Sequence, residues 1–102
     1  MRLGDTVAAI ATAPGVGAVS MIRVSGPDAI TITAQALRCR GGLEAQPERY
    51  AALAKVLTAD GDIIDEVLAT VFVGPRSFTG ENVVELACHG GVLVTRRVLE
   101  RV

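Results

Sequence analysis

Aromatic side chains are nearly missing from this sequence: there is no tryptophan, and Tyr50, Phe72 and Phe78 are the whole provision. So few rings offer little for stacking on nucleotide bases. A dominant charge is lacking too, because ten basic residues against eleven acidic ones leave a formal net charge of −1. That balance argues against this domain alone gripping nucleic acid through its phosphates. The two cysteines, Cys39 in a polar loop and Cys88 in a strand-like run, form no CxxC or Cys/His spacing. Neither a disulfide framework nor a zinc site is supported. No apolar run approaches the roughly 18 to 20 residues that span a bilayer, and residues 1–20 lack a basic start followed by an apolar signal core. The expectation is a soluble, cytoplasmic protein with no metal and no membrane partner.

What remains is apolar: half of the 102 residues are hydrophobic, enough for one globular domain over 1–102 with a modest core. The stretch that organises the rest is Ser77 to Gly91. Val83 to Cys88 reads as a buried strand, and period-two alternation puts Val83, Glu85 and Ala87 on one face and Val84, Leu86 and Cys88 on the other. Glu85 therefore has apolar neighbours on its own face. Such a carboxylate must be neutral, paired or bound to a ligand, since an isolated buried charge costs several kcal/mol.

Arg23 repeats the pattern with the opposite sign, between Met21-Ile22 and Val24, in a strand expected from about Ala18 to Val24. Two mid-strand charges of opposite sign suggest a shared place. One reading is a buried ion pair, for which removing either partner costs roughly 3–5 kcal/mol; another is an arginine that snorkels to the sheet edge. A third is a ligand site. A carboxylate offers two acceptors side by side, and a pterin edge presents an N–H and an amino group at matching spacing, so the pairing would be bidentate. Arg23 would then face a carbonyl or the anionic tail of the same ligand within apolar walls.

The remaining elements follow from local signals. Thr6 to Ala11 reads as a strand ending at Pro14-Gly15. Gly15-Val16-Gly17 is a turn-forming connection rather than a dinucleotide loop, because Ser20 occupies the third fingerprint position and no helix follows. Ser25-Gly26-Pro27-Asp28 offers a capping-box pattern opening a helix over Pro27 to Arg38, with Ile30, Thr33, Ala34 and Leu37 on one face. Arg40 to Arg49 reads as an exposed loop. Tyr50 to Thr58 and Ile63 to Val73 flank Asp60-Gly61, the pattern of a tight primed-turn hairpin. Val92 to Val102 is an amphipathic helix whose Arg96, Arg97 and Arg101 form a solvated face. It stops on valine without a cap, as if cut from something longer. Cys88-His89 is not read as a catalytic pair, since adjacent strand residues point to opposite faces; His89 with the amides of Gly90 and Gly91 could instead meet an anionic or carbonyl group.

Three blocks carry a resemblance: Asp5-Thr6-Val7-Ala8-Ala9-Ile10-Ala11-Thr12-Ala13-Pro14-Gly15, then Ile22-Arg23-Val24-Ser25-Gly26-Pro27, then Pro75 through Gly91. Together, and in this order, they resemble the N-terminal domain of the tRNA-modification GTPase family known as MnmE or TrmE, over nearly the whole chain. The resemblance implies an α+β fold, a single mixed sheet of about five strands with two helices, similar to the tetrahydrofolate-binding domains of the aminomethyltransferase type. It implies folate contacts at Arg23 and Glu85, with a further family lysine beyond Val102, and no catalytic residue or metal ligand here. A reduced folate, 5-formyl- or 5,10-methylene-tetrahydrofolate, is the implied one-carbon donor, and the domain is implied to form the homodimer.

The full family enzyme is implied to modify the wobble uridine of certain tRNAs with a flavoprotein partner, using GTP, magnesium and potassium in a GTPase domain. This chain contains no Gly-x4-Gly-Lys-Ser/Thr loop, so it is not expected to hydrolyse GTP alone, and tRNA would be met only through the complex. The sequence departs from the family pattern at Val16, where a basic residue is common, and at Asn82, where an acidic one is usual. The first puts in question a contact from that loop; the second touches a turn. The alternative reading is a protein-interaction module with an Arg23–Glu85 ion pair and no ligand.

Overall fold

In a computed structural model, which describes residues 6–10, 20–75, 80–88 and 91–101, the chain forms one sheet with helices on one side. The strands are β1 (Val7–Ile10), β2 (Ser20–Ser25), β3 (Leu37–Cys39), β4 (Ala52–Leu57), β5 (Ile63–Phe72) and β6 (Val83–Cys88). The helices are α1 (Ala29–Ala34) and α2 (Gly91–Arg101), and a single 3-10 turn covers Leu43–Ala45. The sheet order is β1-β2-β6-β5-β4-β3, and every pairing is antiparallel. The expected α+β class is present, but among the described residues the sheet has six strands rather than about five and is not mixed.

The extra strand lies where a helix was expected. Ile30, Thr31, Ile32 and Thr33 are all β-branched and hold a helix poorly, so α1 ends at Ala34. Tight bonds from the Gln35 N–H to the Ile32 carbonyl and the Ala36 N–H to the Thr33 carbonyl close its last turn. Leu57 N–H then donates to the Ala36 carbonyl at 2.9 Å, and the next three residues extend along β4. The capping box does not form either. Asp28 is the N-cap but makes no side-chain cap bond, and its own N–H donates to Thr6 Oγ1 at 3.1 Å.

The β4–β5 connection is a hairpin, though not the two-residue primed turn. Gly61 N–H donates to the Thr58 carbonyl at 3.0 Å and Thr58 N–H to the Asp62 carbonyl at 2.8 Å. This is a three-residue loop in which Gly61 alone, at φ +92°, takes the left-handed conformation. The expected loop between Arg40 and Arg49 carries the 3-10 turn, whose Leu43 is buried.

Alternation sorts the strands cleanly. Ile22, Val24, Val84, Leu86, Cys88, Val67, Ala69, Val71, Ala54 and Val56 share one core with Ala29 of α1 and Val98 of α2. The opposite face carries Met21, Arg23, Glu85, Ala87, Leu68, Thr70, Phe72 and Leu53, and both helices lie on the far side from it. Among the exposed large apolar residues are Leu53, Leu68 and Val7 of this open face.

Arg101 departs from the solvated face expected of the basic cluster. Its Nε donates to the Leu57 carbonyl at 2.7 Å and its Nη2 to the Gln35 carbonyl at 3.2 Å. The guanidinium therefore satisfies carbonyls at the ends of β4 and α1 that helix and ladder leave open, while Arg96 and Arg97 are exposed as expected. Thr33 is the opposite case: its hydroxyl is buried with no partner among the described residues, a local loss on the order of 1–3 kcal/mol.

Candidate functional site on the open face of the sheet

The register of β2 on β6 is set by apolar pairs. Ile22 opposes Leu86 and Val24 opposes Val84, all four buried beneath the helices. A slip of one residue would turn each of them outward. With those pairs in place, Arg23 and Glu85 must stand directly opposite each other on the other face. The core thus positions the charges although 62 residues separate them in the chain.

The two side chains are in contact. Arg23 Nε and Nη2 both donate to Glu85 Oε2, at 3.0 and 2.6 Å. The pair is only partly buried: the side chains keep 27% and 21% of their exposure, so the cost of removing one partner falls below the 3–5 kcal/mol of a fully buried pair, to about 1–2 kcal/mol. Both bonds converge on one carboxylate oxygen, and within the described residues Glu85 Oε1 accepts none. On the far side of Glu85 from Arg23, Thr70 of β5 is its register partner. Sequence reasoning did not single out Thr70 as a site residue; the available signal was a hydroxyl between Leu68 and Phe72 on one face of β5.

Other candidate residues separate from this place. Cys88 faces the core, 1% exposed, and burial first, with the Asp65 charge second, pushes its thiol up to about 11. It is a packing residue rather than a nucleophile. Cys39 is half-buried, so a thiol reagent at pH 8 is expected to label Cys39 first and Cys88 only on unfolding. Because the folded chain holds the Cys88 proton more tightly than the unfolded one, its contribution to stability is complete below about pH 9 and is lost as pH rises toward about 11. Denaturant melts of the parent and of Cys88→Ala across that range check the sign: the parent should lose the more. His89, Gly90 and the Gly15–Gly17 segment lie outside the described residues. Among the described residues, no three His, Cys, Asp or Glu side chains group as metal ligands, and no helix is long and apolar enough to cross a membrane.

Asn82 does more than end a turn. Its Oδ1 accepts from Gly74 N–H at 3.0 Å, its Nδ2 donates to the Pro27 carbonyl at 3.4 Å, and its carbonyl accepts from Gly26 N–H at 3.0 Å. One residue thereby ties the loop after β5, the entry to β6 and the exit from β2. An acidic side chain in its place keeps the acceptor and loses the donor.

The fold and site together define a two-layer α+β domain, with helices over one face of an antiparallel sheet and a carboxylate–guanidinium pair among apolar residues on the other. Residues 6–102 match the family described as "GTP-binding protein TrmE N-terminus". The chain is 47% identical over 104 residues to the tRNA modification GTPase MnmE of Geobacter sulfurreducens, covering 100% of this chain and 22% of that protein. It is 48% identical over 101 residues to the protein of the same name from Desulforamulus reducens (96% and 22% covered) and 46% over 99 residues to that from Porphyromonas gingivalis (94% and 21%). The chain belongs to the TrmE N-terminal family, and it spans about a fifth of the length of these relatives.

Proposed function

We propose that this domain binds a reduced folate at Glu85 and Arg23 and self-associates, as the N-terminal part of a tRNA-modification GTPase. The observation that carries the folate reading is the one-sided ion pair. Arg23 holds Glu85 through Oε2 alone, which orients the carboxylate while the two lone pairs of Oε1 can accept an N–H and an amino group. Apolar neighbours on the same face supply the walls such a ligand needs. The exposed Leu53 and Leu68 on that face support self-association. On this reading the folate is 5-formyl- or 5,10-methylene-tetrahydrofolate and serves as a one-carbon donor. The flavoprotein partner, the tRNA and the GTP chemistry with magnesium and potassium belong to the longer proteins, acting in the cytoplasm.

A second reading has its own support, since Arg23 and Glu85 bond directly to each other at 3.0 and 2.6 Å: the domain is an interaction module and Arg23–Glu85 is a structural contact. Calorimetric titration of the chain with 5-formyltetrahydrofolate and with GTP separates the two. Folate is expected to bind and GTP not. At a hundredfold excess over Kd the folate adds about 2.7 kcal/mol of stability, a melting shift of roughly 10 °C or more, and Glu85→Ala abolishes it. No heat and no shift with folate, with Arg23→Ala and Glu85→Ala equally destabilised, would leave the interaction module standing.

A further inference from the structure

We infer that Thr70 is a ligand-contacting residue at the Glu85 site, donating to the 4-oxo group of the pterin; this rests on the folate reading above. Arg23, Glu85 and Thr70 occupy one register row across β2, β6 and β5, on the open face. Directly opposed residues of neighbouring strands hold their Cβ atoms about 4.5–5.5 Å apart, so a hydroxyl and a carboxylate stand side by side over a span comparable to the hydrogen-bonding edge of one ring. Thr70 is half-buried, and its hydroxyl makes no hydrogen bond within the described residues, to Glu85 or to any other group. Its neighbours along the same face of β5 are Leu68 and Phe72, so it is the polar position on that side of the strand between them.

The chemistry of the row matches one edge. A 2-amino-4-oxopteridine presents, in sequence, an amino donor, an N–H donor and a carbonyl acceptor. Glu85 Oε1 supplies the acceptor lone pairs and the Thr70 hydroxyl, turned to donate, supplies the donor beside them. Arg23 lies on the other flank and orients the carboxylate through its two bonds to Oε2. A 4-aminopteridine carries no hydrogen on the ring nitrogen beside that position, so it offers Glu85 one donor fewer, while the Thr70 hydroxyl, which both donates and accepts, turns to accept from its amino group.

The test is calorimetric titration of the chain and of its Thr70→Val and Thr70→Ser variants with tetrahydrofolate and with tetrahydroaminopterin, its 4-amino counterpart. Valine matches threonine in shape and suits a strand. Thr70→Val is expected to weaken both ligands about tenfold, the 4-amino ligand binding the more weakly throughout, and Thr70→Ser to restore each affinity to within about twofold, as one neutral hydrogen bond implies. No change in either affinity with Thr70→Val while Glu85→Ala still abolishes binding, or no recovery with Thr70→Ser, would overturn the assignment of Thr70 and leave the folate site intact. Failure of the unsubstituted chain to bind either ligand would remove both.

Discussion

Gly26→Ala is expected to cost about 3–5 kcal/mol, a large share of the ~5–15 kcal/mol that holds a domain of this size together. Gly26 ends β2 at φ +147°, a conformation that L side chains rarely adopt, and a Cβ built there lies 2.5 Å from Thr6 Cα and 2.5 Å from Thr6 Oγ1. The first contact is with backbone, so no rotamer change relieves it. Thr6 cannot simply retreat, because its hydroxyl accepts the Asp28 N–H that begins α1. Nor can Gly26, whose N–H is held by the Asn82 carbonyl at the entry to β6. Gly41 supplies the control: it too has a positive φ, +77°, but nothing lies within 4 Å of its added Cβ. Gly41→Ala therefore isolates the dihedral strain, about 1 kcal/mol. Urea melts of both variants give the comparison. Similar midpoints for the two would show that the close approach to Thr6 does not matter.

That cluster of contacts also marks how far the residues alone could be read. Val83–Cys88 was legible as a strand because six residues alternate without interruption between turn signals, and Glu85 and Arg23 stood out because each is a charge in an apolar run. Their direct opposition was not legible. It depends on β6 inserting between β5 and β2, a non-local choice that no window of sequence contains. The third strand escaped because Leu37-Arg38-Cys39 is short and continues the helical spacing of Ile30, Thr33 and Ala34. Only the pairing with β4 distinguishes it. Arg101 departs from the solvated face for a related reason: amphipathic patterning locates the wet side of a helix, but not the open carbonyls of Leu57 and Gln35 that a guanidinium on that side can reach. In each miss a tertiary partner decided between two locally acceptable states.

Leu86→Ala and Leu53→Ala form the pair that tests which face of the sheet is the core, and with it the location of the site. Both leucines sit mid-strand in an apolar alternation. Leu86 is fully buried opposite Ile22, beneath the helices, whereas Leu53 is 63% exposed on the open face. Truncating Leu86 leaves a cavity in a close-packed layer and is expected to cost about 3–4 kcal/mol. Truncating Leu53 is expected to stay within about 0.5 kcal/mol at low protein concentration. The order reverses for association. If two copies meet through the open face, Leu53→Ala weakens self-association in sedimentation while Leu86→Ala leaves it unchanged for the fraction that remains folded. Equal destabilisation by the two would mean that the face bearing Arg23, Glu85 and Thr70 is packed rather than open, and a ligand approaching Glu85 would then have to displace protein instead of water.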